Sequence, residues 1–208
     1  MSKFVAGSSA NSKAAPKTTW RVVDIVVASV LAVAVGVIFW LWSAGYGIIA
    51  AVTVAFPPAA ALYGGGWLIA GVLGALVIRK PGAALYCELV AAIVEGLLGT
   101  HFGFTVLLSG LVQGLGAEAV FALFRYRRFT LPVALLAGAL SGVALGLNDS
   151  LVYNVAWALG WKLVYIVLAA VSGAVIAGLL SWLAVRGLAR TGALANLPSR
   201  GAAAEPLV

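Results

Sequence analysis

Residues 22–42 read VVDIVVASVLAVAVGVIFWLW, and Asp24 is the one ionisable side chain in this run. A helix needs about 20 consecutive, mostly apolar residues to cross the hydrocarbon core of a bilayer. The run is longer than the apolar core of a typical signal peptide, and no persuasive small-residue cleavage site follows it. It therefore predicts a retained transmembrane helix.

The rest of the chain has the same character. Of its 208 residues, 63% are hydrophobic and 9% are charged, with a mean hydropathy of +1.11; an ordinary soluble domain is roughly 25% charged. The period-two alternation of transmembrane strands is absent. The composition predicts an all-α integral membrane protein, a bundle of six transmembrane helices. The further apolar segments are 46–78, 82–99, 103–124, 131–147 and 162–186.

Cationic residues cluster next to one end of these segments, and cytoplasmic loops carry an excess of lysine and arginine. The loops at the other end carry almost none except Lys162. We therefore expect a cell-membrane protein with a six-helix domain at 20–190, a disordered cytoplasmic tail at 1–19 and a flexible cytoplasmic tail at 191–208. This topology explains the net charge of +7 without nucleic-acid binding. The residues that set the orientation are Arg21, Arg79, Lys80, Arg125, Arg127, Arg128, Arg186 and Arg190.

The second apolar segment is too long for one simple crossing, and Pro57 and Pro58 interrupt it. A proline removes a backbone donor and crowds the preceding helical turn. A broken helix is tolerated at membrane depth where protein or a cavity satisfies the freed backbone groups. The segment is a candidate cavity wall, and a kink without function is an equally good interpretation.

Three carboxylates lie inside apolar segments, where charges are costly and often mark functional sites. Glu88 and Glu95 are seven residues apart and therefore share a helical face. Glu118 lies seven residues before Arg125, which favours a structural pair between these two side chains. A purely structural role for Glu95 also remains open.

Polar and aromatic residues gather on the side of the membrane opposite the cationic loops. Carboxylates, amides, an imidazole and indole rings suit a small, flat, nitrogen-containing and cationic ligand, because indoles stack on cations and carboxylates accept hydrogen bonds from amino groups. Asn148 and Asp149 are equally well explained as turn or cap residues. The candidate substrate-binding residues are Glu95, Glu88, His101, Asn148, Asn154, Trp157, Trp161, Trp40 and Tyr153.

Small residues recur every four positions on the first helix, at Ala28, Ala32 and Gly36. Such a series permits close approach of another helix. The partner is either another helix of this chain or a separate membrane protein that docks there.

Several classes of function are disfavoured. The single cysteine and single histidine do not support a metal centre. No phosphate-binding loop of the G-x-x-x-x-G-K-[ST] type is present, so ATP hydrolysis would have to come from a partner. The serines have no plausible histidine partner for an enzyme mechanism. We expect a protein that is not an enzyme and needs no cofactor.

Four stretches of the sequence resemble the YkoE family, the substrate-binding S components of energy-coupling-factor (ECF) vitamin transporters. They are 20–27 (WRVVDIVV), 78–85 (IRKPGAAL), 107–118 (LLSGLVQGLGAE) and 121–128 (FALFRYRR). The resemblance implies a six-helix protein that captures thiamine or its hydroxymethylpyrimidine (HMP) precursor. It also implies two kinds of partner, a transmembrane coupling (T) protein and cytoplasmic ATPases.

S components in general dock onto the coupling protein through small residues of the first helix, so the resemblance favours docking for the small-residue series. In our interpretation Glu95 and Glu88 bind nitrogen groups of the vitamin and the three candidate tryptophans stack on it. The alternative is a stand-alone, proton-coupled secondary transporter in which Glu88, Glu95 and Glu118 relay protons.

Overall fold

The computed structural model describes residues 18–206, and every regular element in that part of the chain is helical. Five helical segments there are long and apolar enough to cross a membrane, which confirms the predicted all-α membrane architecture. The helices are α1 (Val22–Val52), a 3-10 helix (Pro57–Leu68), α2 (Ile69–Ile78), α3 (Ala83–Leu98), α4 (Thr105–Leu123), α5 (Leu131–Val152), α6 (Leu159–Ser172), a π-helical turn (Gly173–Leu179), α7 (Leu180–Arg190) and a short 3-10 helix (Pro198–Ala204).

The helix ends divide the bundle into two regions. At one end, here called the basic end, α2 stops and α3 starts, and Arg79 and Lys80 lie between them. At the opposite end, here called the α3–α4 end, α3 stops and α4 starts. The predicted disordered tail falls mainly on residues 1–17, which lie outside the described part of the chain.

Helix α1 is longer than the sequence suggested, since it continues to Val52 instead of stopping near Trp42. Gly45 and Gly47 lie within it, and no proline interrupts the chain before Pro57. The side of α1 that faces away from the other helices carries exposed valine, isoleucine and leucine side chains. In water this apolar surface would be unfavourable, so it is the surface that lipid covers.

The predicted break in the second segment is present. After Phe56 the chain forms a 3-10 helix that starts at Pro57 and passes directly into α2. A 3-10 run this long is uncommon, and the segment is held by side chains of other helices. Ser172 Oγ accepts a hydrogen bond from the Gly65 amide at 3.0 Å and donates one to the Leu62 carbonyl at 2.6 Å.

Close helix contacts depend on small residues. A Cβ atom at Gly142 of α5 would lie 2.2 Å from the carbonyl oxygen of Ala169 in α6, so these two helices touch backbone to backbone. Helix α3 lies between α1 and α4, and a Cβ atom at Gly114 would come within 3.0 Å of Glu88 Cβ. This packing fixes the position of the Glu88 backbone.

Glu118 of α4 caps the first turn of α3. Its carboxylate accepts hydrogen bonds from the amides of Gly82 at 2.6 Å, Ala84 at 2.9 Å and Leu85 at 3.2 Å. These amides have no partner within their own helix, and the positive end of the helix dipole favours a carboxylate there.

The expected pair between Glu118 and Arg125 is replaced by one with Tyr126, whose hydroxyl donates to Glu118 at 2.7 Å. Arg125 has a φ of 55°, and its side chain is exposed. The left-handed turn at the end of α4 therefore brings the tyrosine to the carboxylate. Burial and this hydrogen bond raise the pKa of Tyr126 well above its ordinary value.

Residues 191–206, where the sequence predicts a flexible tail, lie against the basic end. Arg79 forms two hydrogen bonds with the Glu205 carboxylate, at 2.5 and 2.8 Å. Arg186 donates to the carbonyls of Glu205 and Ala203, each at 2.8 Å. Ser199 is buried and donates to the Val77 carbonyl at 2.7 Å. This segment thus covers the ends of α2 and α7.

Candidate substrate-binding site

A cavity of about 290 Å³ lies inside the bundle, between its middle and the α3–α4 end. This volume is close to the lower limit of small-molecule sites, which is roughly 300 Å³. Helices α1, α3, α4, α5 and α6 and the first 3-10 helix all contribute to its wall. The lining residues are Phe39, Tyr46, Ala60, Gly64, Trp67, Glu88, Ala92, Glu95, Phe102, Val106, Ser109, Gly110, Gln113, Leu145, Asp149, Tyr153, Asn154 and Tyr165.

Glu88 forms part of the cavity floor, in the second turn of α3. The side chain is 1% exposed. Its Oε2 atom accepts a hydrogen bond from the Gly71 amide of α2 at 2.6 Å, whereas Oε1 is buried and has no partner among the described residues. Buried polar atoms are nearly always hydrogen-bonded, so this oxygen is an exception among the described residues.

Glu95 lies two turns further along α3, close to the α3–α4 end. Ser43 of α1 donates a hydrogen bond to its Oε1 atom, and Trp67 donates one to Ser43 Oγ at 3.0 Å. A chain of hydrogen bonds therefore links α3, α1 and the first 3-10 helix. It holds the Glu95 carboxyl group and the Trp67 indole in the same wall.

Asp149 supplies a third carboxylate, from the last turn of α5. Tyr165 of α6 donates to its Oδ2 atom at 2.8 Å, and Asn148 donates to Oδ1 at 3.2 Å. Asn148 also donates to Ser109 Oγ of α4 at 3.0 Å. Asn148 therefore orients two lining residues without lining the cavity.

Aromatic rings surround the upper part of the cavity. The ring centroids of Tyr46 and Trp67 are 5.9 Å apart, and those of Trp67 and Phe102 are 5.7 Å apart. His101 lies behind them and stacks on Tyr46 at 5.6 Å. Burial lowers the pKa of His101, which favours the neutral imidazole.

The lining has a clear electrostatic character. It contains three carboxyl groups, and no lysine, arginine or histidine of residues 18–206 lines it. Aromatic faces attract cations, and a carboxylate in a site of low dielectric constant does so more strongly. The cavity therefore suits a flat ligand that carries a positive charge and hydrogen-bond donors.

The sequence matches known transport proteins over most of its length. Residues 23–144 match the family described as "ABC-type cobalt transport system, permease component". The chain is 41% identical over 179 residues to the "Putative HMP/thiamine permease protein YkoE" of Bacillus subtilis (strain 168), which covers 85% of this chain and 88% of that protein. The structure titled "Crystal structure of an S-component of ECF transporter" superimposes with a TM-score of 0.81 at 40% identity, over 86% of this chain and 91% of that one.

The chain belongs to the YkoE family of ECF-transporter S components. This confirms the family expected from the four sequence stretches. As an S component it is a multi-pass protein of the cell membrane, and its family consists of transporter subunits and not of enzymes.

The cavity of this S component includes four of the nine candidate residues named from sequence, which are Glu88, Glu95, Tyr153 and Asn154. His101 and Asn148 contact lining residues from behind. The three tryptophans lie further out. Trp40 is 38% exposed and donates to the Gly99 carbonyl at 3.0 Å. Trp161 is half-exposed, and Trp157 packs between Trp161 and Tyr165.

Several lining residues of the S component were not singled out from sequence as ligand contacts, above all Tyr46, Trp67, Phe102 and Tyr165. Nothing in their immediate neighbours distinguishes them from ordinary aromatic residues of a membrane helix. Trp67 was harder to identify from sequence for a further reason, because it lies on a 3-10 helix, which has three residues per turn.

The small-residue series of α1 lies inside the S component. Ala28 and Ala32 are fully buried, and the Cys87 thiol of α3 lies 3.7 Å from the Ala28 carbonyl oxygen. A Cβ atom at Gly36 would come within 2.7 Å of the Ala91 carbonyl oxygen of α3. In this structure the series packs α1 against α3.

Proposed function

We propose that this S component captures thiamine or HMP from outside the cell and delivers it for ATP-driven import. A transmembrane coupling protein and cytoplasmic ATPases would be its partners. The observation that carries the proposal is the cavity with three carboxyl groups, an aromatic wall and no cationic side chain among the described residues. Thiamine combines an aminopyrimidine with a cationic thiazolium ring and matches both properties. The name of the Bacillus subtilis relative, "Putative HMP/thiamine permease protein YkoE", points to the same two compounds.

The residues divide into three roles in this proposal. Glu88, Glu95 and Asp149 supply acceptors and negative charge, while the rings of Tyr46 and Trp67 stack on the ligand. Tyr153 and Asn154 close the cavity at the α3–α4 end. His101, Asn148 and Trp157 line no part of the cavity and contact lining residues from behind, whereas Trp40 and Trp161 lie further out.

The proposed topology has six crossings with both termini in the cytoplasm. Helix α3 would be the sixth crossing, added to the five long segments. It has 16 residues, which corresponds to a length of about 24 Å at 1.5 Å per residue. The excess of arginine at the basic end supports a cytoplasmic location for that end. The cavity would then face the outside.

Docking of the coupling protein on α1 remains part of the proposal. Because Ala28, Ala32 and Gly36 contact α3 in this structure, a partner that used them would have to displace α3. The exposed apolar side of α1 is open to a partner without such a change.

The secondary-transporter alternative loses support from the geometry. Its proton relay requires Glu118, and this carboxylate is bound by three backbone amides and a tyrosine hydroxyl at the basic end. Glu118 does not line the cavity. Uptake by the chain alone in liposomes, abolished by a proton uncoupler, would revive this alternative.

The deciding experiment is titration of the purified, detergent-solubilised protein with thiamine and with HMP, followed by tryptophan fluorescence. Trp67 lines the cavity, so saturable quenching is expected, and Trp67→Phe should remove most of the signal while binding persists. Trp182→Phe, far from the cavity near the basic end, is the matched control and should keep the signal. A folded sample that binds neither compound would refute the substrate assignment.

A further inference from the structure

Three arginines lie in the loop that joins α4 to α5, at the basic end of the bundle. Residues 124–130 read FRYRRFT, and the side chains of Arg125, Arg127 and Arg128 are all exposed. Consecutive Cα atoms are about 3.8 Å apart, so the Cα atoms of the three arginines lie within about 11 Å of one another. No other four-residue stretch of the chain carries three positive charges. The loop is therefore the most concentrated positive charge of the protein.

Other cationic side chains of the basic end bind groups of the protein itself. Lys80 pairs with the Asp24 carboxylate, and Arg79 pairs with the Glu205 carboxylate. Arg186 donates to two backbone carbonyls. By contrast, no acidic side chain of residues 18–206 forms an ion pair with the three loop arginines. Their charge is thus available to an anion from another molecule.

The chain has no spare acidic side chain for this loop. It contains six aspartates and glutamates, and the structure describes all of them. Asp24 and Glu205 pair with other cations, and Glu118 accepts hydrogen bonds from the α3 amides and from Tyr126. The remaining three carboxyl groups line the cavity. An acidic group for the loop therefore has to come from outside the side chains of this protein.

Two aromatic side chains hold the loop against the bundle and leave the arginines on its surface. Tyr126 donates a hydrogen bond to Glu118 at 2.7 Å, and Phe129 stacks on Phe121 of α4 with 5.6 Å between ring centroids. Arg125 and Tyr126 both have a φ of 55°. Glycine usually provides this left-handed conformation at a helix end, and a residue with a Cβ atom adopts it less readily. The arginines are therefore presented by a backbone of defined shape.

An exposed apolar surface lies directly beside the loop. Leu123, the last residue of α4, is 78% exposed. Ala119 and Leu115 lie about one and two turns earlier on the same side of this helix, and both are exposed. Lipid chains cover such a surface in a membrane, whereas arginine binds phosphate oxygens through paired hydrogen bonds. The apolar side of α4 and the arginine loop thus match the two parts of a phospholipid, its acyl chains and its phosphate.

We propose that the α4–α5 loop binds the headgroup of an anionic phospholipid, whose acyl chains lie along the apolar side of α4. Anionic lipids of the cytoplasmic leaflet attract lysine and arginine side chains near the membrane surface, and the basic end is the proposed cytoplasmic end. A zwitterionic lipid has no net charge to match the three arginines. A soluble phosphate compound would use the arginines and leave the apolar surface of α4 unused. The inference concerns the end of the bundle opposite the cavity and does not depend on which vitamin the protein binds.

The test is native mass spectrometry of the full-length, delipidated protein in detergent, which counts the lipid molecules bound. The probes are phosphatidylglycerol, phosphatidylcholine with the same acyl chains, and glycerophosphate, which has a phosphate but no acyl chain. We expect the wild-type protein to bind phosphatidylglycerol most tightly. Arg127→Gln should weaken that binding roughly 5-fold, and glutamine at all three arginine positions should weaken it roughly 100-fold. Arg200→Gln, the same change at an exposed arginine of the C-terminal segment, is the control and should bind like the wild type.

Three results would overturn the inference. Equal affinity of the wild-type protein for phosphatidylglycerol and phosphatidylcholine would show that the charge of the headgroup is not recognised. An equal loss in Arg127→Gln and Arg200→Gln would show a diffuse attraction in place of a site at this loop. Glycerophosphate binding as tight as that of phosphatidylglycerol would assign the loop to a soluble phosphate compound. If the triple variant does not fold, the comparison of Arg127→Gln with Arg200→Gln still decides the matter.

Discussion

At the basic end of the bundle the carboxyl groups have protein partners. At the cavity, residues 18–206 provide no partner for one oxygen of Glu88 and no cationic side chain in the lining. Asp24 is bound by Arg21 and by Lys80, and Glu118 by the amides of α3. Within the cavity, the described residues donate a hydrogen bond to one of the two Glu88 oxygens, from the Gly71 amide.

This difference separates structural from functional charges in one membrane domain. A buried charge whose partners are all in the protein contributes to the fold, because removing either member leaves the other uncompensated. A buried carboxyl group with an unused oxygen is costly for the fold, and a ligand can supply the missing interaction. The two ends should therefore respond differently to mutation, in stability at one and in binding at the other.

The largest effect is expected from Asp24→Asn. Lys80 is 4% exposed, and without the carboxylate its ammonium group loses its charged partner. Removing one member of a buried ion pair costs about 3–5 kcal/mol of unfolding free energy. Thermal or chemical unfolding of the detergent-solubilised protein measures the loss.

The matched control is the double variant Asp24→Asn with Lys80→Met, which removes both charges and should recover much of the stability. Equal stability of the Asp24→Asn variant and the wild type would show that water reaches this pair. Asp24 would then not be a structural charge, and the proposed difference between the basic end and the cavity would lose its main support.

Glu118→Ala should have the next largest effect, a loss of about 2–3 kcal/mol, because the first amides of α3 lose charge-assisted hydrogen bonds. Tyr126→Phe removes a single hydrogen bond to the same carboxylate and should cost about 1 kcal/mol. Chemical unfolding of both variants measures the two losses of unfolding free energy and shows which is larger. A larger loss in Tyr126→Phe than in Glu118→Ala would contradict the capping role.

At the other end, Asp149→Asn should leave the unfolding midpoint nearly unchanged and weaken thiamine binding about 10-fold, or 1.4 kcal/mol. It removes negative charge from the part of the cavity near the α3–α4 end but keeps an oxygen for the Tyr165 hydroxyl. Ser150→Ala, the adjacent residue outside the cavity lining, is the control and should bind normally. Titration calorimetry measures thiamine binding by both variants. A loss of stability in Asp149→Asn without weaker binding would place Asp149 among the structural charges.

The membrane architecture was predictable because it depends on composition, and composition needs no tertiary information. Glu88 and Glu95 were identified for a similar reason, since a seven-residue spacing on a regular helix fixes a common face. The four stretches that indicated the YkoE family were equally local. None of these inferences requires knowledge of which helices are in contact.

The partners of the charges were not predictable in the same way. The assignment of Glu118 to Arg125 assumed that α4 continues, but a left-handed turn at Arg125 and Tyr126 ends it. Asn148 and Asp149, for which turn or cap roles were an equally good interpretation, lie within α5 near its end, and there Asp149 accepts a hydrogen bond from Tyr165. Such details follow from how helix ends pack, which one sequence does not reveal.

The smallest effect is expected from Glu205→Gln, a loss of about 0–1 kcal/mol. Glu205 pairs with Arg79 at the edge of the basic end, and its side chain is 37% exposed. Ion pairs that water reaches contribute little to stability, and salt screens them. The segment also keeps its other anchors, because Arg186 binds its backbone carbonyls and Ser199 is buried. Unfolding at low and high salt measures the contribution, which should vanish in high salt. A loss close to that of Asp24→Asn would instead make residues 191–206 part of the structural core of the basic end, since a solvent-exposed pair alone does not supply so much energy.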